Sequence, residues 1–276
     1  MLMASYANLT LTYVPGVNGS QIAQKAKPFK ATVHLAELGA WRAHANVWRS
    51  FLERRRYDTA LILEDDLDWD VDIGAIMQRI AQHMPAAAST PPYGHEDWDV
   101  FWIGACLHGL NKSMTTPEEF RDIEAARFDD PLAPNSTQLR EYDRQYFRKN
   151  SPGGEYKAEG ERVIHQAYEP ICTMAYAITR RGAERLLYNV GYSELGSPVD
   201  IAMAMATSSR RLKGWVVWPP VVSAWRVGGN KDSDIQKINQ GSRSNDDGWS
   251  SYLRNSARRA MAAKFRGLDE PFRNSP

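Results

Sequence analysis

The chain has 276 residues, a length that suits one large α/β domain or two small ones. Its 34 lysines and arginines nearly balance 33 aspartates and glutamates, and the net charge of +1 excludes a general attraction to nucleic acid or anionic membranes. Two cysteines, Cys106 and Cys172, are too few for a disulfide framework or a thiolate metal site, and a single bridge between them stays open.

The first part of the chain predicts a helix, a strand and then a group of acids. Residues 36–56 form the helix, because their apolar residues fall on one stripe: Trp41, Ala45, Trp48 and Leu52. After a turn, residues 60–63 (ALIL) are fully apolar, which is typical of a short strand buried in a parallel sheet. Residues 99–104 (DVFWIG) predict the next strand.

The remaining strands alternate with helices, so we predict one domain over residues 1–276. Residues 111–162 are polar and weakly periodic, which indicates a surface insertion with one helix. The other predicted elements are strands at 171–178 and 214–218, helices at 179–190, 197–209 and 250–265, and a loop at 228–249. The expected helix-start residues are Thr179 for one helix and Ser197, Pro198 and Asp200 for the next. Three tryptophans are assigned to the core: Trp98, Trp102 and Trp225.

Glu64, Asp65 and Asp66 follow the first predicted strand directly, and open α/β sheets bind ligands at the carboxyl ends of their strands. The residues leave three interpretations open. The acids form a solvated loop or a helix start, where acids are common. They hold Mg²⁺ or Mn²⁺ for a nucleotide diphosphate, since such a cation needs only one or two carboxylates. Or they are the paired carboxylates of a glycosidase.

The acids continue at alternate positions, as in a calcium-binding loop: Asp66, Asp68, Asp70 and Asp72. Such a loop requires glycine where this chain has Val71 and glutamate where it has Met77, which excludes an EF-hand. We therefore expect Asp68 and Asp70 to be solvated. The sequence also lacks the motifs of zinc proteases, dinucleotide-binding proteins and serine hydrolases.

Six short stretches occur in one order within roughly residues 10–260: ELGAWRAHANVW, ALILEDDLDW, WDVFWIG, TMAYAITRRGAERLL, PVDIAMA and WPPVVSAW. In this order they resemble glycosyltransferase family 25, the lipopolysaccharide and collagen galactosyltransferase type. The chain is most similar to the fungal branch, in which a DSDI element (232–235) follows the proline pair. The resemblance implies a GT-A fold, a Rossmann-like, mixed and mainly parallel sheet flanked by helices. It also implies inverting transfer of a sugar, galactose, from a UDP-sugar to a glycan or glycoprotein, with Mn²⁺ or Mg²⁺.

The resemblance assigns roles to matching residues of this chain. The acids Glu64, Asp65 and Asp66 correspond to the DxD motif. Asp66 would be the direct metal ligand, and Asp65 and Glu64 would contact the ribose or help to hold the metal. Asp200 is the candidate base for the acceptor hydroxyl, or else an ordinary acid at a helix start. His44 matches the histidine of a Ser-His pair and is a candidate for nucleotide binding, or else packs beside the core stripe. The alternative function is an inactive protein that binds a nucleotide sugar or a glycan.

The family's first strand, whose loop holds the nucleotide, has no counterpart before TLTYVPGVNG at 10–19. We expect the chain to begin inside the fold, so that this strand and any membrane anchor would precede Met1, and we expect weak or absent activity. Within the chain, no apolar run reaches the roughly 20 residues that span a bilayer. Localisation in the Golgi or ER lumen follows from the resemblance and from four weak glycosylation sequons: Asn8, Asn18, Asn111 and Asn135.

Overall fold

The computed structural model describes residues 2–85, 90, 92–106, 109–110, 113–114, 116–157, 159–192, 195–227 and 248–267. These residues form eight strands: β1 Thr59–Leu63, β2 Leu67–Trp69, β3 Val100–Gly104, β4 Ala125–Asp129, β5 Glu161–Gln166, β6 Ala175–Thr179, β7 Gly214–Trp218 and β8 Val222–Ala224. Six strands make one sheet in the order β1-β6-β3-β7-β5-β4, while β2 pairs with β8 separately. The protein is therefore mixed α/β, with helices against a six-stranded mixed sheet.

Helices surround this sheet. They are α1 Leu2–Tyr6, α2 Leu35–Glu53, α3 Ile73–His83, α4 Pro117–Arg121, α5 Glu141–Lys149, α6 Arg180–Leu186, α7 Val199–Ser208 and α8 Ala257–Phe265, with a π-helical turn at Leu187–Tyr192. In the part of the chain that the structure describes, none of these helices combines the length and the apolar character that crossing a membrane requires.

Side chains of β3 alternate between two apolar cores, one on each face of the sheet. Val100 and Trp102 belong to the core that includes α2, α6 and α7, whereas Phe101 and Ile103 belong to the core that includes α3 and the start of α8. Burial of both faces explains why the central strands are apolar throughout. The three tryptophans assigned to the core are all buried, which confirms the prediction: Trp98, Trp102 and Trp225.

The prediction of a mainly parallel sheet is wrong. Among the strands of the described residues, β3–β7 is the one parallel pair, because β6 inserts antiparallel between β1 and β3, and β5 returns antiparallel beside β7. An apolar run predicts that a strand is buried on both faces, but it carries no information on the direction of its neighbours.

Residues 60–63 form a strand as predicted, but the expectation that it is buried in a parallel sheet is wrong. They belong to β1, which lies at one end of the sheet and pairs, among the described residues, with β6 alone. Leu61 is accordingly 48% exposed, while Ile62 faces the core. The apolar character of β1 therefore exceeds what its observed burial requires.

The segment 111–162 is not only a surface insertion with one helix. It supplies β4, α4 and α5, and β5 begins at its end, so it builds one side of the sheet. Its polar residues obscured the strands, because several of them are buried in pairs. Arg162 in β5 binds the buried Asp130 at 2.7 Å, and Arg127 in β4 binds Glu161 at 2.8 Å.

Several predicted boundaries shift. Helix α2 confirms the helix at 36–56, and Thr179 caps α6 by accepting from the Gly182 N–H at 3.0 Å. The N-cap residue of helix α7 is Pro198, so the prediction that Ser197 is the N-cap is wrong. The predicted strand at 171–178 begins only at Ala175. Helix α8 starts at Ala257, later than predicted, and residues 228–247 of the predicted loop lie outside the described residues.

The prediction that Asp68 and Asp70 are solvated is wrong, because both are buried. Asp68 accepts hydrogen bonds from Ser250 Oγ at 2.8 Å, Ser256 Oγ at 2.5 Å and the Arg258 N–H at 3.1 Å. Asp70 accepts from the Asn255 N–H at 2.8 Å. These carboxylates join β2 to the start of α8, and burial raises the pKa of both.

Replacement of Asp68 by alanine should lower the free energy of unfolding by about 3 kcal/mol at pH 7, because buried hydroxyl and N–H donors lose their acceptor. Urea unfolding followed by circular dichroism measures the effect. The exposed Asp58 is the matched control, since Asp58→Ala should cost less than about 0.5 kcal/mol. Equal costs for the two variants would contradict a structural role for Asp68.

Candidate functional site

The pairing of β1 with β6 brings Glu64 to the segment that precedes β6. In this register Leu63 lies opposite Ala175, and the Glu64 N–H donates to Met174 O at 3.0 Å. The buried Thr173 then donates from its hydroxyl to Glu64 Oε1 at 2.5 Å. Residues 171–174, which the sequence predicts as strand, are instead the irregular segment that contacts the acids.

A buried hydrogen-bond chain orients His44 towards Glu64. Trp48 Nε1–H donates to the Tyr176 hydroxyl at 2.9 Å, and that hydroxyl lies 2.8 Å from His44 Nδ1. Because the phenol oxygen accepts from Trp48, its single proton is free to bond to Nδ1 of His44. The other ring nitrogen, Nε2, lies 3.6 Å from Glu64 Oε1. His44 is thus both a core residue and a contact of the predicted site.

Asp200 reaches the same segment from the first turn of α7. Its Oδ2 accepts from the Cys172 N–H at 3.1 Å, and its Oδ1 accepts from the Ile201 N–H at 2.8 Å. The second bond is typical of an acid at a helix start, but the first connects Asp200 to a residue 28 positions away. The structure therefore brings Asp200, Glu64 and His44 together around residues 172–173.

Asp65 and Asp66 lie where β1 passes into β2. Asp65 is exposed and Asp66 is half-buried. The Trp225 N–H donates to Asp66 O at 2.8 Å, which extends the β2–β8 pairing and brings Arg226 next to the acids. Arg226 has no counterpart in the sequence-based prediction, because its proximity depends on β8, a strand that the sequence did not reveal.

The three acids have opposed electrostatic environments. Burial of the Glu64 carboxyl would raise its pKa, but the contacts with His44 and Thr173 and the charge of Arg226 outweigh burial and hold the pKa below its ordinary value. Burial raises the pKa of Asp66, and the negative charge of Glu64 raises it further. Glu64 is thus stabilised as an anion by the protein, whereas Asp66 is an acid with unfavourable surroundings for its charge.

The sequence left one cysteine pairing open, and the structure forms it. Cys106 and Cys172 are joined in a disulfide, with their Cα atoms 5.5 Å apart. The bridge links the end of β3 to the segment that contacts Glu64 and Asp200.

The residues present are compatible with a cation that arrives with a nucleotide. Among the described residues, no group of three or more His, Cys, Asp and Glu side chains could hold a metal by itself. A nucleotide-bound Mg²⁺ or Mn²⁺ does not need such a group, because phosphate oxygens and water fill most of its positions. Of the three acids after β1, Asp66 has a pKa raised by burial and by its acidic neighbours, so a nearby cation would favour its charged form.

Three contact residues of this site were missed by the sequence analysis: Thr173, Tyr176 and Arg226. Nothing in their local patterns distinguishes them from ordinary strand or loop residues. Tyr176 is one buried aromatic among many, and Thr173 becomes a partner of Glu64 only through the pairing of β1 with β6.

No family model matches this sequence, and no curated protein matches it. The resemblance to glycosyltransferase family 25 is carried by the ordered short stretches of sequence alone, and the roles that it assigns to Glu64, Asp65, Asp66, His44 and Asp200 stay predictions.

Replacement of Tyr176 by phenylalanine should lower the free energy of unfolding by about 2 kcal/mol, because Trp48 Nε1–H and His44 Nδ1 lose a buried partner. Denaturant unfolding measures this cost. Tyr188→Phe is the control, since Tyr188 is exposed and the same change there should cost less than about 0.5 kcal/mol. A cost for Tyr176→Phe as small as that of the control would contradict the hydrogen-bond chain.

Replacement of Glu64 by glutamine should lower the pKa of Asp66, since one source of repulsion disappears while burial remains. Asp66, with its raised pKa, contributes stability that is complete below its unfolded-state pKa and is lost as the pH rises through its folded value. Glu64, with its lowered pKa, contributes the opposite: stability that is present above its unfolded-state pKa and is lost as the pH falls through its folded value. An NMR titration of the two carboxyl groups measures these shifts. If the pKa of Asp66 is the same in Glu64→Gln as in the original chain, the coupling between the two acids is contradicted.

Proposed function

We propose that this protein is a member of glycosyltransferase family 25 with a GT-A fold. On this proposal it is a metal-dependent, inverting enzyme that moves a sugar, galactose, from a UDP-sugar to a hydroxyl of a glycan or glycoprotein. One observation supports the proposal: the predicted residues Glu64 and Asp200, far apart in sequence, bind the adjacent residues 173 and 172, and His44 contacts Glu64. These residues lie at the carboxyl end of a strand, and α/β sheets bind their ligands at such strand ends.

The acids suit a UDP-sugar with its cation. The exposed Asp65 and the half-buried Asp66 offer carboxylate oxygens, which Mg²⁺ and Mn²⁺ prefer as ligands. When bound, the cation would neutralise the diphosphate as UDP leaves. Arg226 adds a positive charge beside the same acids, so the diphosphate would meet cationic as well as anionic groups.

Asp200 is suited to accept the proton of the acceptor hydroxyl. Inversion requires a single displacement, so one carboxylate must take that proton as the hydroxyl oxygen attacks the anomeric carbon. The Cys172 N–H donates to Asp200, and the next residue, Thr173, donates to Glu64. The proposed base therefore lies close to the proposed donor site. Glu64, engaged by His44 and Thr173, would position the nucleotide instead of exchanging protons.

A lumenal location is consistent with the disulfide. Structural disulfides persist in secretory compartments and are rare in the cytosol. The bridge between Cys106 and Cys172 therefore supports the proposed Golgi or ER lumen, where UDP-sugars and glycoprotein acceptors would meet this chain.

Binding of UDP in the presence of Mn²⁺ tests the donor site directly. Calorimetric titration should show UDP affinity that falls at least about tenfold when Mn²⁺ is removed, and likewise in Asp66→Asn, because the cation links the acid to the diphosphate. Asp58→Asn is the matched control, since Asp58 is exposed and should leave the affinity unchanged. UDP affinity that does not respond to Mn²⁺ or to Asp66→Asn would contradict the proposal.

Release of UDP from UDP-sugars then separates an enzyme from a binding protein. We expect slow turnover, which Asp200→Asn should reduce about 100-fold while leaving UDP affinity unchanged. Mn²⁺-dependent binding without turnover would favour an inactive nucleotide-sugar-binding protein. Hydrolysis of a glycoside in the presence of EDTA would favour a glycosidase.

A further inference from the structure

We propose that the Cys106–Cys172 disulfide is a positioning bond for the candidate site, an inference that rests on the proposed function. The bridge holds residues 172–173, the segment that binds both acids assigned to nucleotide and acceptor. Through this bond, the geometry of the site depends on the redox state of its compartment.

The backbone of Cys172 has an unusual conformation at the contact with Asp200. Its N–H donates to Asp200 Oδ2 at 3.1 Å, and its φ angle of +70° lies in the left-handed region that residues other than glycine rarely adopt. A covalent bond on the side chain restricts the backbone conformations open to this residue. The disulfide therefore favours the conformation in which the Cys172 N–H is directed at Asp200.

The two acids do not depend on this segment equally. The hydroxyl of Thr173 donates to Glu64 Oε1, but the same oxygen also lies 3.6 Å from Nε2 of His44, a residue of α2. Among the described residues, the hydrogen bond from Cys172 is the one that Asp200 forms outside α7. Loosening of residues 172–173 would therefore disturb Asp200 more than Glu64.

The other half of the bridge is held by Arg140, whose Nη2 donates to Cys106 O at 3.2 Å. The Cys106 N–H itself donates to Ile171 O at 2.9 Å, a backbone bond that runs beside the disulfide to the same segment. Arg140 in turn pairs with the buried Asp143 of α5 at 2.6 Å. The disulfide thus ties the site segment to a braced position after β3.

Reduction of the bridge is chemically accessible, because both cysteines are partly exposed. A thiolate of a dithiol attacks one sulfur, and the disulfide bond breaks to give a mixed disulfide. The second thiolate of the reductant then displaces the remaining cysteine. Cys106 and Cys172 each gain a proton, and the reductant is oxidised to a cyclic disulfide.

The test compares amide hydrogen exchange in the oxidised 276-residue chain and in the same chain reduced with dithiothreitol, with the two thiols verified by alkylation and mass measurement. Exchange of the Cys172 N–H should rise at least about tenfold on reduction and return on reoxidation. The Lys213 N–H is the matched control, because it also donates to a carboxylate, Asp99 Oδ2 at 2.8 Å, at the opposite end of β3. Its exchange should not change.

A kinetic comparison separates positioning from general stability. Reduction should lower kcat for UDP-sugar turnover about tenfold, because Asp200 loses its fixed position. UDP affinity with Mn²⁺ should change less than about threefold, because Glu64 retains its contact with His44. A bond that only stabilised the fold would lower both together.

Three outcomes would overturn the positioning role: unchanged exchange at Cys172 in the reduced chain, loss of the whole fold on reduction, or a parallel fall of kcat and UDP affinity. Faster exchange at Cys172 in a chain whose oxidised form shows no turnover would support the positioning bond and count against the proposed function. The two proposals therefore fail by different results.

Discussion

The register between β1 and β6 is the constraint on which the candidate site depends. Because Leu63 lies opposite Ala175, Glu64 contacts Thr173 and Met174 just beyond the last paired residues. The same register directs Tyr176 into the core, where its hydroxyl lies within hydrogen-bond distance of His44. A shift of one residue would turn Tyr176 to the opposite face of the sheet. The core that fixes this register on both faces is thus also what assembles the site.

The acidic run after β1 divides into two groups with different physical roles. Asp68 and Asp70 belong to β2 and its end, where buried hydroxyl and N–H donors from the start of α8 compensate their charge. Asp65 and Asp66 have fewer such donors, and the pKa of Asp66 is raised by burial and by Glu64. The acids with fewer donors among the described residues are therefore the ones more available to a ligand.

Much of the fold is predictable from local patterns. The apolar runs at 99–104 and 214–218 predict β3 and β7 closely, and the apolar stripe on α2 and the cap at Thr179 are correct, because each depends on neighbours in sequence. The polar strands β4 and β5 were missed because their charged residues find partners across the sheet. Strand direction and the edge position of β1 depend on distant pairings, which a single sequence does not encode locally.

The candidate site was likewise predictable only in part. The positions of Glu64, His44 and Asp200 came from the resemblance, while the residues that bind them were not visible in the sequence. Burial of Asp68 was unpredictable in the same sense, since its partners Ser250 and Ser256 lie more than 180 residues away. Local chemistry identifies candidate groups, and long-range packing decides which of them are available to react.

The most direct test of the central claim is the place where paramagnetic Mn²⁺ binds in the presence of UDP. In amide NMR spectra of the oxidised chain, small amounts of Mn²⁺ should first broaden the signals of residues 64–66 and 172–173. The signals of Asp99 and Asp130, which are buried acids with arginine partners, should stay sharp. This selectivity should disappear in Asp66→Asn. Broadening centred on another region, or the same pattern in Asp66→Asn, would contradict the claim that these acids form a cation site for a nucleotide.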